Sequence, residues 1–469
     1  MKKISEDLKI KLLPWLAALA MFMQMLDGSV LNTALPSIAL SFRENPLQMQ
    51  AAVISYLISV AVCLPIAGWI SDKFGIKKTF MFAIAAFTAG SLCCALSNSL
   101  FTLSLSRILQ GMGGAFLVPV GRLAVLRVYP REKYVNVLSF IVLPALIGPL
   151  IGPMVGGFLV EYASWHWIFL INVPIGILCC AATKYIMPQM PSYASGEKFD
   201  LKGFFLFDFA LVLLFAGSSS AKIIPGLSNG FFMLAAAVFV IFYFIYAKGR
   251  RNALFNLDMF KIRSFSVGIA GNLVIRLVGG SLPFLAPLFF QTALGFSPSK
   301  AGMTLLPMGI TAMFAKTFAA RIILKLGYKK FLILNTVILS VFIFLISFIN
   351  GETPYFAIIA LFSFIGMLNS LQYTAINALA LIDVPDKLMS GANNMLAVSL
   401  QISMSLGVAL AAYLLLKTAD FEFISSKQNA LGAAFSLTYV VISLLSVSGA
   451  ALFVLVPKNA GNAVFKEEI

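Results

Sequence analysis

Apolar stretches long enough to cross a bilayer recur from one end of this chain to the other, and that recurrence leaves few folds open. They fall at about 13–35, 50–71, 79–97, 101–126, 137–160, 166–187, 203–221, 230–247, 264–291, 299–320, 331–349, 355–380, 391–416 and 433–456. At ~1.5 Å per residue each can cover roughly 30 Å of hydrocarbon. A backbone in lipid must satisfy its own polar groups, so these stretches are expected to be helices. Of the 469 residues 60% are hydrophobic and only 11% charged, which agrees with a polytopic membrane protein. The expected fold is all-α and integral to the membrane, with fourteen spans.

The charges test that count. With the N-terminus placed in the cytoplasm, 25 of the 34 Lys and Arg fall in cytoplasmic loops and ends. Arg43, Lys222, Lys300, Lys417 and Lys427 fall on the opposite side. Such a bias fits the positive-inside rule with an even number of spans and both termini cytoplasmic. One missed span would scramble the alternation downstream, whereas a missed pair would not. Fourteen is therefore favoured strongly over thirteen and less strongly over twelve.

The formal net charge of +16 invites a nucleic-acid reading. The basic residues lie in short loops, however, and not on one face of a folded domain, so no nucleic-acid partner is expected. Cys63, Cys93, Cys94, Cys179 and Cys180 are odd in number and sit in apolar runs, so they read as free thiols. With one histidine, His166, and no cluster of carboxylates at one depth, neither a metal site nor an enzyme is expected. A sensor would call for a sizeable extramembrane domain, and no loop exceeds about 20 residues; a non-transporting membrane sensor is the alternative from another class. The apolar run after Lys2, Lys3, Lys9 and Lys11 continues without a small-residue cleavage pattern, so it reads as a retained first span.

An internal repeat divides the chain. Lys73-Phe74-Gly75-Ile76-Lys77-Lys78 returns as Lys325-Leu326-Gly327-Tyr328-Lys329-Lys330. Gly111-Met112 with Pro130 returns as Gly366-Met367 with Pro385, at the same spacing. The expected domains are a six-helix bundle over 1–187, a linker with two inserted helices over 188–263, and a second six-helix bundle with a short cytoplasmic tail over 264–469. Parallel repeats of this kind are a common transporter plan, with the substrate site near the midplane where the repeats meet.

Within the spans the polar residues carry the chemistry. Asp27 sits some 14 residues into the first span, about 20 Å from its start. A carboxylate there costs roughly 2.5–3.5 kcal/mol on insertion scales, and such a residue is a functional candidate by default. Arg107, Gln110, Gly111 and Gly114 share one helical face, and a buried Arg needs a partner or water. Arg276 lies deep in the ninth span, and its partner reads equally as Asp27, a backbone carbonyl or an anionic cargo. Arg122 and Lys316 lie near cytoplasmic ends and can snorkel. Asn369, Tyr373 and Asn377 make a polar stripe in the twelfth span. Gln24, Asn32, Arg276, Asn369 and Tyr373 are the candidate substrate contacts. Embedded positive charge exceeds negative, with Asp208 the other acid, so an anionic metabolite or metal chelate such as an organic acid is an alternative cargo. Met21, Met23 and Met25, spaced two apart, cannot all share one face, so some are expected to meet lipid. No nucleotide-binding loop is found in the sequence, so the drive is expected to be ion-coupled, and no cofactor is expected. The proton gradient is the energy source that the resemblance below implies.

Three motifs carry a family resemblance. Gly68-Trp69-Ile70-Ser71-Asp72-Lys73-Phe74-Gly75-Ile76-Lys77-Lys78 resembles the loop signature of the major facilitator superfamily, with its echo at 325–330. Gly148-Pro149-Leu150-Ile151-Gly152-Pro153-Met154-Val155-Gly156-Gly157 is similar to the motif that marks antiporters in that superfamily. Leu26-Asp27 with Asn32, Ala34, Leu35 and Pro36 resembles the first span of fourteen-spanner drug:proton antiporters. Trp165 to Gly176 and Gln291 to Pro307 look like the same group, within it the MdtD-like branch, with His166 where many relatives carry Arg. The resemblance implies a major facilitator fold in a bacterial-type inner membrane and export of small organic molecules or drugs by alternating access. It implies proton coupling through Asp27 with Arg107. It also implies a cytoplasmic gate of Gly68, Asp72, Gly75, Lys77 and Lys78, and a close-packed hinge of Gly148, Gly152, Pro153, Gly156 and Gly157. The implied partners are a small-molecule substrate, protons and the lipid bilayer; protein partners are not indicated.

Overall fold

The computed structural model describes residues 6–130, 133–189, 199–218, 228–250, 253–419 and 430–457. Of the basic residues that orient the chain, Lys2, Lys3, Arg131, Lys198, Lys222, Arg251, Lys427, Lys458 and Lys466 lie outside them. The described residues hold helices and no strand. In order these are α1 (Glu6–Phe42), α2 (Gln50–Cys63), α3 (Ala67–Phe74), α4 (Ile76–Ala95), α5 (Leu100–Val128), α6 (Tyr134–Tyr162), α7 (Trp167–Leu170) and α8 (Asn172–Ile186). They continue as α9 (Leu201–Ser218), α10 (Asn229–Ala247), a 3₁₀ turn (Leu257–Lys261), α11 (Arg263–Thr292), α12 (Pro298–Leu326), α13 (Tyr328–Ile346), α14 (Tyr355–Leu381), α15 (Asp386–Ala419) and α16 (Ala430–Phe453).

Helices fall on all fourteen predicted stretches. Among the described residues eleven are long and apolar enough to cross a membrane, or twelve if the bent pair α2 and α3 is one span, and Leu146–Tyr162 is a shorter apolar stretch. Fourteen crossings is thus more than the described helices establish. The structure also alters several boundaries. The first span, expected over 13–35, extends as α1 over 37 residues. The second is broken between α2 and α3, which meet at 57°. Pro65 sits in that break, where its missing N–H removes a helix bond and its ring crowds the preceding turn. The sixth is interrupted at Ile171, between α7 and α8.

Local chemistry ends and starts the helices. Ser99 and Thr102 form a reciprocal capping box at the start of α5. Asp200 accepts hydrogen bonds from the Gly203 N–H (3.0 Å), the Tyr246 hydroxyl (2.6 Å) and the Leu254 N–H (2.9 Å), which ties α9 to the far end of α10. Gly75 (φ 88°) separates α3 from α4, and Gly327 (φ 71°) separates α12 from α13. These are the two glycines of the sequence repeat, and a residue with a Cβ is strained at such angles.

Contacts group the chain into two units, residues 1–199 with 297–303, and residues 200–296 with 304–469. In the first unit α1 packs on α5, α6 and α8, and α4 packs on α5 and α8. In the second, α11 packs on α14, α15 and α16, and α13 packs on α14 and α16. Each unit thus repeats one pattern, with α11, α13, α14, α15 and α16 in the roles of α1, α4, α5, α6 and α8. The first unit's core includes Phe80, Phe87, Phe116 and Leu117 together with Met21 and Met23, and Met25 packs partly buried against it. Packing, one of the fates expected for these methionines, thus accounts for Met21 and Met23.

Candidate functional site

Asp27 lies in the middle of α1 and is 2% exposed. Its Oδ2 accepts a hydrogen bond from Arg107 Nη1 at 2.6 Å, and Oδ1 accepts from Gln110 Nε2 (2.8 Å) and Asn172 Nδ2 (3.0 Å). Three donors from α5 and α8 thus converge on one acid. Arg107 is 1% exposed and is held from other sides as well. Its Nη1 donates to Gln110 Oε1 (2.6 Å), its Nε to the Ala52 carbonyl (3.4 Å), and its guanidinium lies over the Tyr56 ring at 4.2 Å. Gln110 also donates to Ser91 Oγ at 2.7 Å and accepts from the Cys94 thiol. Gln24 sits beside the Tyr56 hydroxyl. The result is a continuous polar cluster over α1, α2, α4, α5 and α8, buried in an otherwise apolar bundle.

Small residues let these helices come close enough. On α5 a Cβ added at Gly111 would meet the Tyr56 carbonyl of α2 at 2.7 Å, and one at Gly114 would meet the Tyr56 hydroxyl at 2.8 Å. Opposite, Gly90 of α4 lies against the backbone of Gln110. On α6 the expected hinge glycines line up along α1. A Cβ at Gly148 would lie 2.8 Å from Leu26 N, one at Gly152 would run into Ser29, and one at Gly156 would lie 2.6 Å from the Val30 carbonyl. The stripe flanks Asp27 on both sides in sequence. Its four-residue spacing is the close-packing pattern of membrane helices. Gly157 packs on Pro298, and Pro153 on Gly302, at the start of α12. Glu161 accepts from the Ser299 N–H at 2.9 Å at the same place.

The second unit has its own buried cation. Arg276, 8% exposed, donates to Asn272 Oδ1 and to Asn377 Oδ1 (3.3 Å), and its guanidinium lies over the Tyr373 ring at 4.3 Å. Asn272 in turn donates to Ser399 Oγ at 2.9 Å. Of the partners expected for Arg276, Asp27 and a backbone carbonyl, the structure shows neither: Asp27 pairs with Arg107, and Arg276 is held by side-chain amides and a ring. No carboxylate pairs with Arg276 among the described residues. Tyr373 and Asn377 of the polar stripe thus reach Arg276, whereas Asn369 Oδ1 is buried and accepts no hydrogen bond from the protein. Asn32 Oδ1 is in the same state on α1. Arg122 and Lys316 are exposed, as snorkelling requires.

The residues of the loop motif meet partners from other helices. Asp72 meets Arg127 at the end of α5, Nη2 to Oδ1 at 3.7 Å. Lys77 donates to the carbonyls of Lys184 (2.8 Å) and Met187 (2.7 Å) at the C-terminus of α8. A cation at a helix C-terminus satisfies carbonyls that have no partner inside the helix. Lys73 lies over the Trp69 ring at 4.6 Å, Gly68 borders open space, and Lys78 is exposed.

Sequence reasoning put Asp27 and Arg107 together and left out Ser91, Tyr56, Asn172 and Asn272 as site residues. One of these, and Gln110 beside them, had a readable signal. Asn272 is one helical turn before Arg276, and Gln110, placed on the Arg107 face but given no role, is one turn after Arg107. Tyr56, Ser91 and Asn172 come from other helices at separations that no periodicity links.

A family profile described as Major Facilitator Superfamily matches residues 17–282. Curated relatives are similar over nearly the whole chain. One from Yersinia enterocolitica, named "Putative multidrug resistance protein MdtD", is 41% identical over 451 residues, 95% of each chain. One of the same name from Citrobacter koseri is 41% identical over 448 residues, 95% of this chain and 94% of that one. Among solved structures, a D-xylose-proton symporter superposes with TM-score 0.68 at 15% identity, covering 97% of this chain and 99% of that one. The nucleoside transporter NupG superposes with TM-score 0.67 at 13% identity, covering 94% and 98%. At these identities the two structures speak for the fold alone.

Proposed function

The chain belongs to the major facilitator superfamily, a multi-pass membrane transporter by its relatives, and we propose that it is a proton-coupled antiporter exporting small organic molecules or drugs across a bacterial-type inner membrane. The observation that carries this reading is the buried cluster of Asp27, Arg107, Gln110 and Asn172. A proton and the Arg107 guanidinium compete for the same carboxylate oxygen. Protonation of Asp27 removes the charge that holds Arg107 and Asn172, and deprotonation restores it. Coupling follows if the acid meets water from alternate sides as the helices move. The glycine stripe of α6 supports that motion, because α1 can slide or tilt on a surface without side chains. Asp72 with Arg127, and Lys77 on the end of α8, serve as cytoplasmic ties that hold one state, with Gly68, Gly75 and Lys78 in the same loop. Both termini are placed in the cytoplasm, and the bundles are 1–187 and 264–469, with the pair over 188–263 inserted. Gln24, Asn32, Arg276, Asn369 and Tyr373 are the proposed cargo contacts, and the orphaned amide oxygens of Asn32 and Asn369 support two of them.

The test is Asp27→Asn in proteoliposomes with an imposed pH gradient, loaded with a panel of lipophilic dyes and organic acids. Efflux of any cargo the full chain moves should lose its dependence on the gradient. Gradient-driven efflux that survives the substitution removes Asp27 from coupling.

One observation favours a second reading of the cargo. Arg276 carries its charge among amides and a ring, and Lys316 lies close enough to feel that charge. An anionic metabolite or metal chelate would supply the missing counter-charge. Exchange of one proton inward for one monovalent anion outward moves two charges favourably, roughly 7 kcal/mol at about 150 mV. Arg276→Gln should then impair anionic cargo selectively, and an equal loss for neutral and cationic cargo would return Arg276 to a packing role.

A further inference from the structure

Asp208 is a buried acid that the proposed mechanism does not use. It lies in α9, about 10 Å from the helix start, and is 7% exposed. Neither carboxyl oxygen has a hydrogen-bond partner among the described residues. Two turns earlier Asp200 shows what a satisfied acid looks like here, with its three donors. The residues on either side of it in sequence are aromatic. On its own helix Phe207 stands 5.6 Å from Tyr243 and 5.0 Å from Phe255, and Phe209 stands 5.0 Å from Phe239.

The tyrosines of α10, which packs against α9, are engaged with other partners. On α10 the Tyr243 hydroxyl is tied to the backbone of Phe255, and Tyr246 is bonded to Asp200. Lys248 and Arg250 follow the end of α10, where Arg250 lies over the Tyr246 ring. Another neighbour, α15, carries Asp386 and Lys387 in its first turn and Lys417 in its last. Lys202, on α9 itself, is exposed at the helix start. An ionised carboxylate at Asp208 would have neither a counter-charge nor a donor, and such a group takes up a proton instead.

We infer that Asp208 is a second proton-binding site, carried on the α9–α10 pair and independent of Asp27. The acid is neutral while α9 is seated as in this structure, and it releases its proton when water reaches the carboxyl. Because α9 also touches α15, whose Ser399 accepts from Asn272 beneath Arg276, loading of this site and the arrangement around Arg276 share one element.

The experiment is infrared titration of the full-length protein in lipid nanodiscs. A protonated carboxyl absorbs apart from ionised carboxylates and amides, and shifts in heavy water. The full chain and Asp27→Asn should both show a carboxylic band that is lost on alkalinisation between about pH 6 and 9. Asp208→Asn should lose that band, and Asp208→Glu should keep it at a shifted frequency. An unchanged band in Asp208→Asn, no shift in Asp208→Glu, or a band that does not titrate in that range would each overturn the proposal. The Asp27→Asn arm keeps this test separate from that of the main reading, since the band is expected whether or not Asp27 couples transport.

Discussion

At the scale of single residues, Asp27 and Arg107 are valued by what each does to the other. A buried ion pair adds little stability as a pair, yet removing one partner strands the other at about 3–5 kcal/mol. Arg107→Ala is therefore expected to cost about that much, read as loss of thermal stability in detergent. Combining it with Asp27→Asn should restore part of the loss, because the amide no longer needs a counter-charge. Additive effects would mean that the two residues are not energetically coupled. Tyr373 offers a finer test. Tyr373→Phe keeps the ring under Arg276 and should change stability little, whereas Tyr373→Leu removes a desolvated cation–π contact of about 2 kcal/mol. The acid and the base of the first cluster were legible as charges in apolar runs. Gln110 was legible only as a neighbour on the Arg107 face, and Asn172 was not, since an Asn or Gln in a membrane helix is as often packing glue as site.

Elements carry the second set of constraints. Three glycines of α6 matter through α1: a side chain at Gly148 or Gly156 would press on the α1 backbone near Asp27, and one at Gly152 on Ser29. Gly156→Ala places a methyl 2.6 Å from the Val30 carbonyl, so α1 must move, at a cost of about 1–3 kcal/mol. We expect lower thermal stability and slower efflux from that variant, and a fully active, equally stable protein would exclude a close-packed α1–α6 seam. The turn glycines act through the backbone instead. Gly75→Ala should lose about 1–3 kcal/mol through φ alone, because open space surrounds its added methyl. Unaltered thermal stability would show that the turn adopts another conformation. The glycine spacing was readable in sequence as a packing pattern. The break at Pro65 was not read, because the apolar run passes through it without a change in composition.

For the whole molecule, the repeat is the organising fact. Two copies of one packing pattern carry different chemistry: an acid–base pair in the first unit, a base among amides in the second. The inserted pair adds an acid of its own. Its crossing of the membrane can be tested directly with reporter fusions in the loops near 188–202 and 222–229. Opposite sides are expected, and the same side for both would remove α9 and α10 from the spans and return the count to twelve.

What the sequence determined by itself is whatever depends on transfer from water to lipid: the helical class, the positions of the helices, the repeat and the cost of Asp27. These are sums along the chain, and hydropathy reports them. Which donor meets which acceptor depends on how helices distant in sequence lie against one another, and only the tertiary structure decided it. It gave Asp27 to Arg107, Gln110 and Asn172, brought Arg127 to Asp72, surrounded Arg276 with amides, and left Asp208 without a hydrogen-bond partner among the described residues. The reason is the range of the forces. Burial is nearly independent of the partner, whereas a hydrogen bond fails beyond a few tenths of an ångström, so it exists only once the glycine seams have fixed the distance between helices.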